Sequence, residues 1–174
     1  KADLEHSEYE AISQFMKEGG RILLLLDRSS FNTTQGILQI YTTELPLFSQ
    51  LLADYNIQIN DDLIFSRSVE AINLRRTSFR ATPLMHSVTE QLMAEGQGVV
   101  VNEAASLRFL KGGEVKISAL LAADAQCFAK TLENGVENFT YQEKDAQGTF
   151  IVAAIAEKDT SRLAVVTDSL CIGD

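Results

Sequence analysis

Gly19-Gly20-Arg21-Ile22-Leu23-Leu24-Leu25-Leu26-Asp27 is the stretch on which the reading of the fold turns. Its apolar residues run without a break from Ile22 to Leu26. A run that short fits a strand. A strand with no polar alternation reads as one covered on both faces, as in a parallel sheet sandwiched by helices. Upstream, Ser7 followed by Glu10 reads as a capping box that opens a helix. Tyr9, Ile12, Phe15 and Met16 recur at helical spacing, and Gly19-Gly20 ends the helix. Helix, glycine pair and buried strand make half of a βαβ unit.

Downstream, residues 28 to 44 are polar and read mostly as loop. Pro46 suits the first turn of a second helix, with Leu47, Leu51, Leu52 and Tyr55 as its apolar stripe. Ile57 to Ile59 and Leu63 to Phe65 read as short strands around the turn Asn60-Asp61-Asp62. Residues 66 to 82 read as irregular or edge strand. Ser87 with Glu90 reads as a second capping box, opening a short helix through Met93. Val99 to Val101 reads as a buried strand, residues 104 to 110 are ambiguous, and Glu114 to Leu121 is a strand. Asp124 is placed to cap a helix carrying Phe128 and Leu132. Phe150 to Ala156 and Leu163 to Val166 read as strands, the last ending at Thr167-Asp168-Ser169. Alternating helices and strands predict one α/β domain over residues 1–174, three-layered, with a mostly parallel sheet.

Composition narrows function by exclusion. The 174 residues are 45% hydrophobic and 22% charged, which is globular and not disordered. A membrane helix needs roughly 20 apolar residues in a row, and no run here approaches that. Fifteen Lys and Arg against 24 Asp and Glu leave a net charge of −9. Nucleic-acid affinity comes mostly from cations on phosphates, so no nucleic-acid partner is expected. A local cluster of Arg67, Arg75, Arg76 and Arg80 beside Glu70 reads as solvated arginines, or as a patch for an acidic partner. Cys127 and Cys171 are expected to be free, mostly buried thiols. Two histidines and two cysteines give a metal site few ligands, and neither metal nor cofactor is expected.

Ligands of open α/β sheets bind beyond the carboxyl ends of the strands. That rule selects Asp27, Arg28 and Ser29 after one strand and Asp168 and Ser169 after another, with His86 as a further polar group. Asp, Ser and His together suggest hydrolysis, but the chain has no Gly-x-Ser-x-Gly elbow. Its glycines match no phosphate-binding loop. Asp61 and Asp62 are adjacent, so their carboxylates point apart, and a polar turn explains them.

Several segments together resemble one bacterial family. They are Asp3-Leu4, Ser7-Glu8-x-Glu10-Ala11-Ile12, Phe15 to Asp27, Leu47 to Tyr55 and Asn56 to Ile64, then His86-Ser87-Val88-Thr89 and Ser161 to Ser169. The pattern is similar to the extracytoplasmic domain of the GldG-like auxiliary proteins of ABC-2-type transport systems, which serve in gliding motility. Ser87 stands where that family usually has proline, and Thr167 where it has glycine.

The resemblance implies a flavodoxin-like or class I glutamine-amidotransferase-like fold without the catalytic Cys–His pair. It implies a non-enzymatic binding and scaffolding domain outside the cytoplasmic membrane, excised from a longer protein anchored in the cell membrane through segments beyond this chain. The implied partners are the ABC permease and ATPase subunits of the same system, with a homo-oligomer as a further expectation. The alternative is a divergent amidotransferase-like hydrolase using His86. It requires a nucleophile within hydrogen-bond reach of that imidazole. A small-solute receptor would need a deep pocket with convergent polar groups.

Overall fold

The computed structural model describes residues 2–34, 37–68, 76–132, 135–136, 138–169 and 171. Helix α1 (His6–Lys17) does open with a capping box, but two residues earlier than Ser7 predicts. The Glu5 carboxylate accepts the third-position amide, and the Glu5 amide donates to Glu8 Oε2 at 2.8 Å. Gly19, at φ +89°, turns the chain where an added Cβ would meet Thr160 Oγ1 at 2.7 Å. Strand β1 (Arg21–Leu25) follows.

The remaining elements are β2 (Ser29–Thr34), β3 (Ile37–Thr42), α2 (Pro46–Ala53), β4 (Ile57–Ile59), β5 (Asp62–Ser66) and β6 (Ser78–Pro83). They continue with α3 (Glu90–Ala94), β7 (Val99–Asn102), β8 (Leu107–Phe109) and β9 (Val115–Ala122). Last come β10 (Cys127–Thr131), β11 (Ala146–Gln147), β12 (Ile151–Lys158) and β13 (Ser161–Val166). The large sheet runs β1-β13-β12-β9-β6-β7, with β8 on β12 and β4 on β8. A smaller sheet runs β11-β10-β5, and β2 pairs with β3.

This corrects the three-layer, mostly parallel, flavodoxin-like expectation. Of the described residues 42% are strand and 16% helix. The sheet is mixed and curled. Among the described strand pairs, β1–β13 is the parallel one and the rest are antiparallel. The cause is local. A parallel pair needs a long crossover, whereas antiparallel strands can be joined by a tight turn. Asp159 adopts φ +52°, a conformation Asp tolerates better than most residues. That lets Asp159-Thr160 turn β12 straight into β13, with Lys158 paired to Ser161.

The helices do not cover both faces. Met16 of α1 and Leu51 and Leu52 of α2 pack with Tyr55 on Leu24, Leu163, Val165, Ala154 and Ala156. On the opposite face, Ile64, Phe79, Val101, Cys127 and Ala129 pack around Val152, Ala153 and Leu121, so strands supply that layer. A third cluster gathers Ile40, Leu63, Phe65, Phe128, Leu132 and Val136.

Three further expectations change. The predicted loop 28–44 contains the β2–β3 hairpin. The predicted helix after Asp124 is β10, paired with β5 and β11. Asp124 does act as a local cap, but of a turn, its Oδ1 accepting the Gln126 amide at 2.8 Å. The second expected capping box is not formed: Thr89, not Ser87, precedes α3, makes no side-chain cap bond, and its hydroxyl donates back to the Leu84 carbonyl.

Candidate functional site

The carboxyl ends of β1 and β13 lie side by side because the two strands are parallel neighbours. That geometry brings Asp27 to Ser169. The Ser169 amide donates to Asp27 Oδ1 at 2.7 Å, and its hydroxyl donates to Asp27 Oδ2. Asp168 is fully buried, and its Oδ2 accepts the Asn102 amide at 2.8 Å. Thr167 Oγ1 donates to the Ala105 carbonyl at 2.7 Å. These groups tie the tail of β13 to the ends of β1 and β7 and to the segment before β8.

Arg28 and Ser29 turn elsewhere. Ser29 is buried as the first residue of β2. The buried Arg28 guanidinium pairs with Asp61 and lies 3.5 Å from Ser49 Oγ. With Gln58 and Leu110 they line a cavity of about 250 Å³, below the roughly 300–1,000 Å³ usual for small-molecule sites. Asp61 and Asp62 point apart, as their adjacency requires. Asp62 accepts the Ser106 amide at 2.8 Å and the Ser106 hydroxyl at 2.6 Å. Burial pushes the Asp62 carboxyl above its ordinary value, against the pull of those two bonds.

His86 does not join this group. It follows Pro83, at the opposite end of β6 from Ser78, and Ser78 pairs with Asn102 beside Asp168. Its Nδ1 accepts the Val88 amide at 3.2 Å within its own turn. Among the described residues no serine hydroxyl or cysteine thiol bonds to the imidazole. The Cys127 thiol is free and buried, and burial, then the Asp124 charge, push it up to about 12. A thiol held that high is a poor nucleophile. Cys171 is also free.

Of the arginine cluster, Arg75 and Glu70 lie outside the described residues. Arg67 stacks on Tyr141 at 4.7 Å, and Arg76 Nη1 donates to the Arg67 carbonyl at 3.3 Å. Arg80 lies against Gly98, where an added Cβ would meet its Cγ at 2.4 Å.

Sequence reasoning missed two features. One is the outer side of β1. Arg162 N donates to Gly20 O at 3.1 Å and Leu26 N to Val166 O at 3.0 Å. Even-numbered residues therefore face β13, and the N–H and C=O groups of Arg21, Leu23 and Leu25 point to the side on which no described strand pairs. Leu23 is 59% exposed there, and Ala164, Ile155 and Ser118 continue its row across the sheet, all half-buried. The other is a buried ion pair, Lys130 Nζ to Asp145 Oδ2 at 2.6 Å, on the wall of a cavity of about 600 Å³.

No protein-family profile matches this chain. No curated protein matches it. Among solved structures, the mmIFT52 N-terminal domain superposes with a TM-score of 0.58 at 16% sequence identity, over 97% of this chain and 61% of that one. This chain thus spans about three fifths of the length of that solved chain. At that identity the likeness concerns the fold: the chain is similar in architecture to the IFT52 N-terminal domain.

Proposed function

We propose that this chain is a non-enzymatic docking and scaffolding domain that takes up an extended segment of a protein partner along the open edge of β1. The observation that carries this reading is the edge itself. It is a five-residue strand with three outward-facing backbone pairs and an exposed leucine at its centre. An unprotected apolar edge is a template for strand addition, in which main-chain bonds supply affinity and side-chain contacts supply choice. The strand-end acids fit the same picture, since Asp27, Asp168 and Asp62 are engaged with amides and hydroxyls of the fold. A hydrolase centred on His86 lacks the neighbour it needs among the described residues.

The place of the domain is part of the proposal. The structural neighbour is named as the N-terminal domain of IFT52, and we assign this chain the same kind of place, one domain within a longer protein. The sequence resemblance supplies the setting: an auxiliary component of an ABC-type transport system, outside the cytoplasmic membrane and tethered to it, touching the permease of a system whose ATPase subunits it joins through that permease.

The test uses the full-length protein in its own cells. Leu23→Lys places a charge at the edge and leaves the β13-facing bonds intact. A variant that keeps its thermal midpoint within a few degrees and loses its co-purifying partner supports the reading. A partner retained at wild-type level by the folded variant overturns it.

A further inference from the structure

We propose that the cavity beside β10 binds a small molecule through an oxyanion, phosphoryl or carboxylate, held by Lys130. The cavity measures about 600 Å³ and is lined by Lys130, Thr131, Asn138, Gln142, Lys144 and Asp145 among others. That volume falls within the roughly 300–1,000 Å³ of small-molecule sites. The site is independent of the β1 edge.

The buried Lys130 ammonium has an unfinished bond count among the described residues. The Lys130 and Asp145 side chains are 8% and 5% exposed. Asp145 Oδ2 accepts Lys130 Nζ at 2.6 Å and the Gln142 amide at 2.7 Å. The ammonium also lies 5.5 Å from the centroid of the Phe128 ring. An ammonium carries three donors. Among the described residues, one is met by Asp145 and the ring supplies a face but no acceptor atom. Burying a charge with donors unmet is costly. Lys130 and Asp145 both line the cavity. Lys144 adds a second cation to the lining, and Asn138 and Gln142 bring amides. Among the described residues the lining carries two lysines against one aspartate, on a chain whose net charge is −9.

Isothermal titration with inorganic phosphate and, separately, with succinate tests this on the wild type, Asp145→Asn, Lys130→Met and Lys144→Ala. Saturable binding of at least one anion is expected. Asp145→Asn removes the competing carboxylate and should tighten binding several-fold, whereas a structural pair predicts only lost stability. Lys130→Met should weaken binding about tenfold or more, the scale of a charge-assisted bond. Should Lys130→Met fail to fold, Lys144→Ala, altered at an exposed position, carries the test and should weaken binding several-fold with an unchanged thermal midpoint. Phosphate bound without succinate assigns a phosphoryl ligand, and the reverse a carboxylate. Absence of saturable heat with both anions in the wild type and Asp145→Asn overturns the proposal. So does binding that neither lysine substitution alters.

Discussion

Ser169 donates both its amide and its hydroxyl to the carboxylate of Asp27, joining positions 142 residues apart in the chain. The contact exists because β1 and β13 run parallel, so their carboxyl ends emerge together. It fastens the sheet's edge strand to the strand beside it.

Hydrogen bonds to a charged group contribute about 1.5–3 kcal/mol each. Ser169→Ala, which removes the hydroxyl and keeps the amide, should lower unfolding free energy by about that much. Asp27→Ala should cost more, since both bonds go. The double substitution should cost no more than Asp27→Ala alone, because the two changes share one interaction. Urea denaturation of the three variants measures this, and an additive double variant would contradict it.

Asp62 makes a pH prediction. Its folded-state carboxyl is raised from the ordinary value of 3.8, burial being the main cause. A raised acid stabilises the fold fully below its unfolded value and loses that contribution as pH rises through the folded one. The gap in urea midpoint between wild type and Asp62→Asn should therefore move in favour of the asparagine variant as pH rises from about 3.8 towards neutral. Movement towards the wild type over that window is the signature of a depressed carboxyl and would refute the assignment.

Cys127 is buried and its thiol sits at about 12, so little thiolate exists at pH 8. Its labelling by a disulfide reagent should wait on global unfolding and accelerate with urea in step with it. Cys171, half-buried near the chain's end, should label first. Equal rates for the two thiols in the folded protein would count against the packing around β10.

Phe128 stacks on Phe65 at 5.4 Å and meets Tyr141 edge-on at 5.5 Å. Phe128→Ala should cost about 3–5 kcal/mol, as for other buried aromatics, and Phe128→Leu clearly less. Chemical denaturation distinguishes them. A loss under about 1 kcal/mol for the alanine variant would mean the residue is not in that cluster.

Sequence periodicity located α1 and α2, as in the spacing of Tyr9, Ile12 and Met16, and short apolar runs located most strands of the large sheet. Val99 to Val101, expected to be buried, nevertheless lie in the end strand β7, with Val100 38% exposed. Neither signal located neighbours. The run Ile22 to Leu26 is apolar throughout, yet β1 ends the strand order among the described residues, and Leu23 there is 59% exposed. A run of leucines reports hydrophobicity, not what covers it. Phe128 and Leu132 have the spacing of a helix face, but pairing with β5 overrides that local preference. The β2–β3 hairpin hid behind polar residues, and Asp159 lacks the glycine that usually marks such a turn.

The candidate site was partly legible for the same reason. Strand ends are readable, so Asp27, Asp168 and Ser169 could be placed at them, and the pairing of β1 with β13 brings Asp27 to Ser169. Which way Arg28 turns, and that His86 lies at the far end of β6, depend on tertiary placement. Lys130 and Asp145 stand 15 residues apart and meet through the chain reversal between β10 and β11, which no short motif announces.

The most direct test of the docking account is amide hydrogen exchange along β1, read by NMR in dilute protein and again with the co-purified partner. The account predicts fast exchange at Leu23 and Leu25 and slow exchange at Leu24 and Leu26 in the protein alone, with Leu23 and Leu25 becoming protected in the complex. Protection of Leu23 equal to that of Leu24 in dilute protein, or no change at Leu23 and Leu25 when the partner binds, would contradict it.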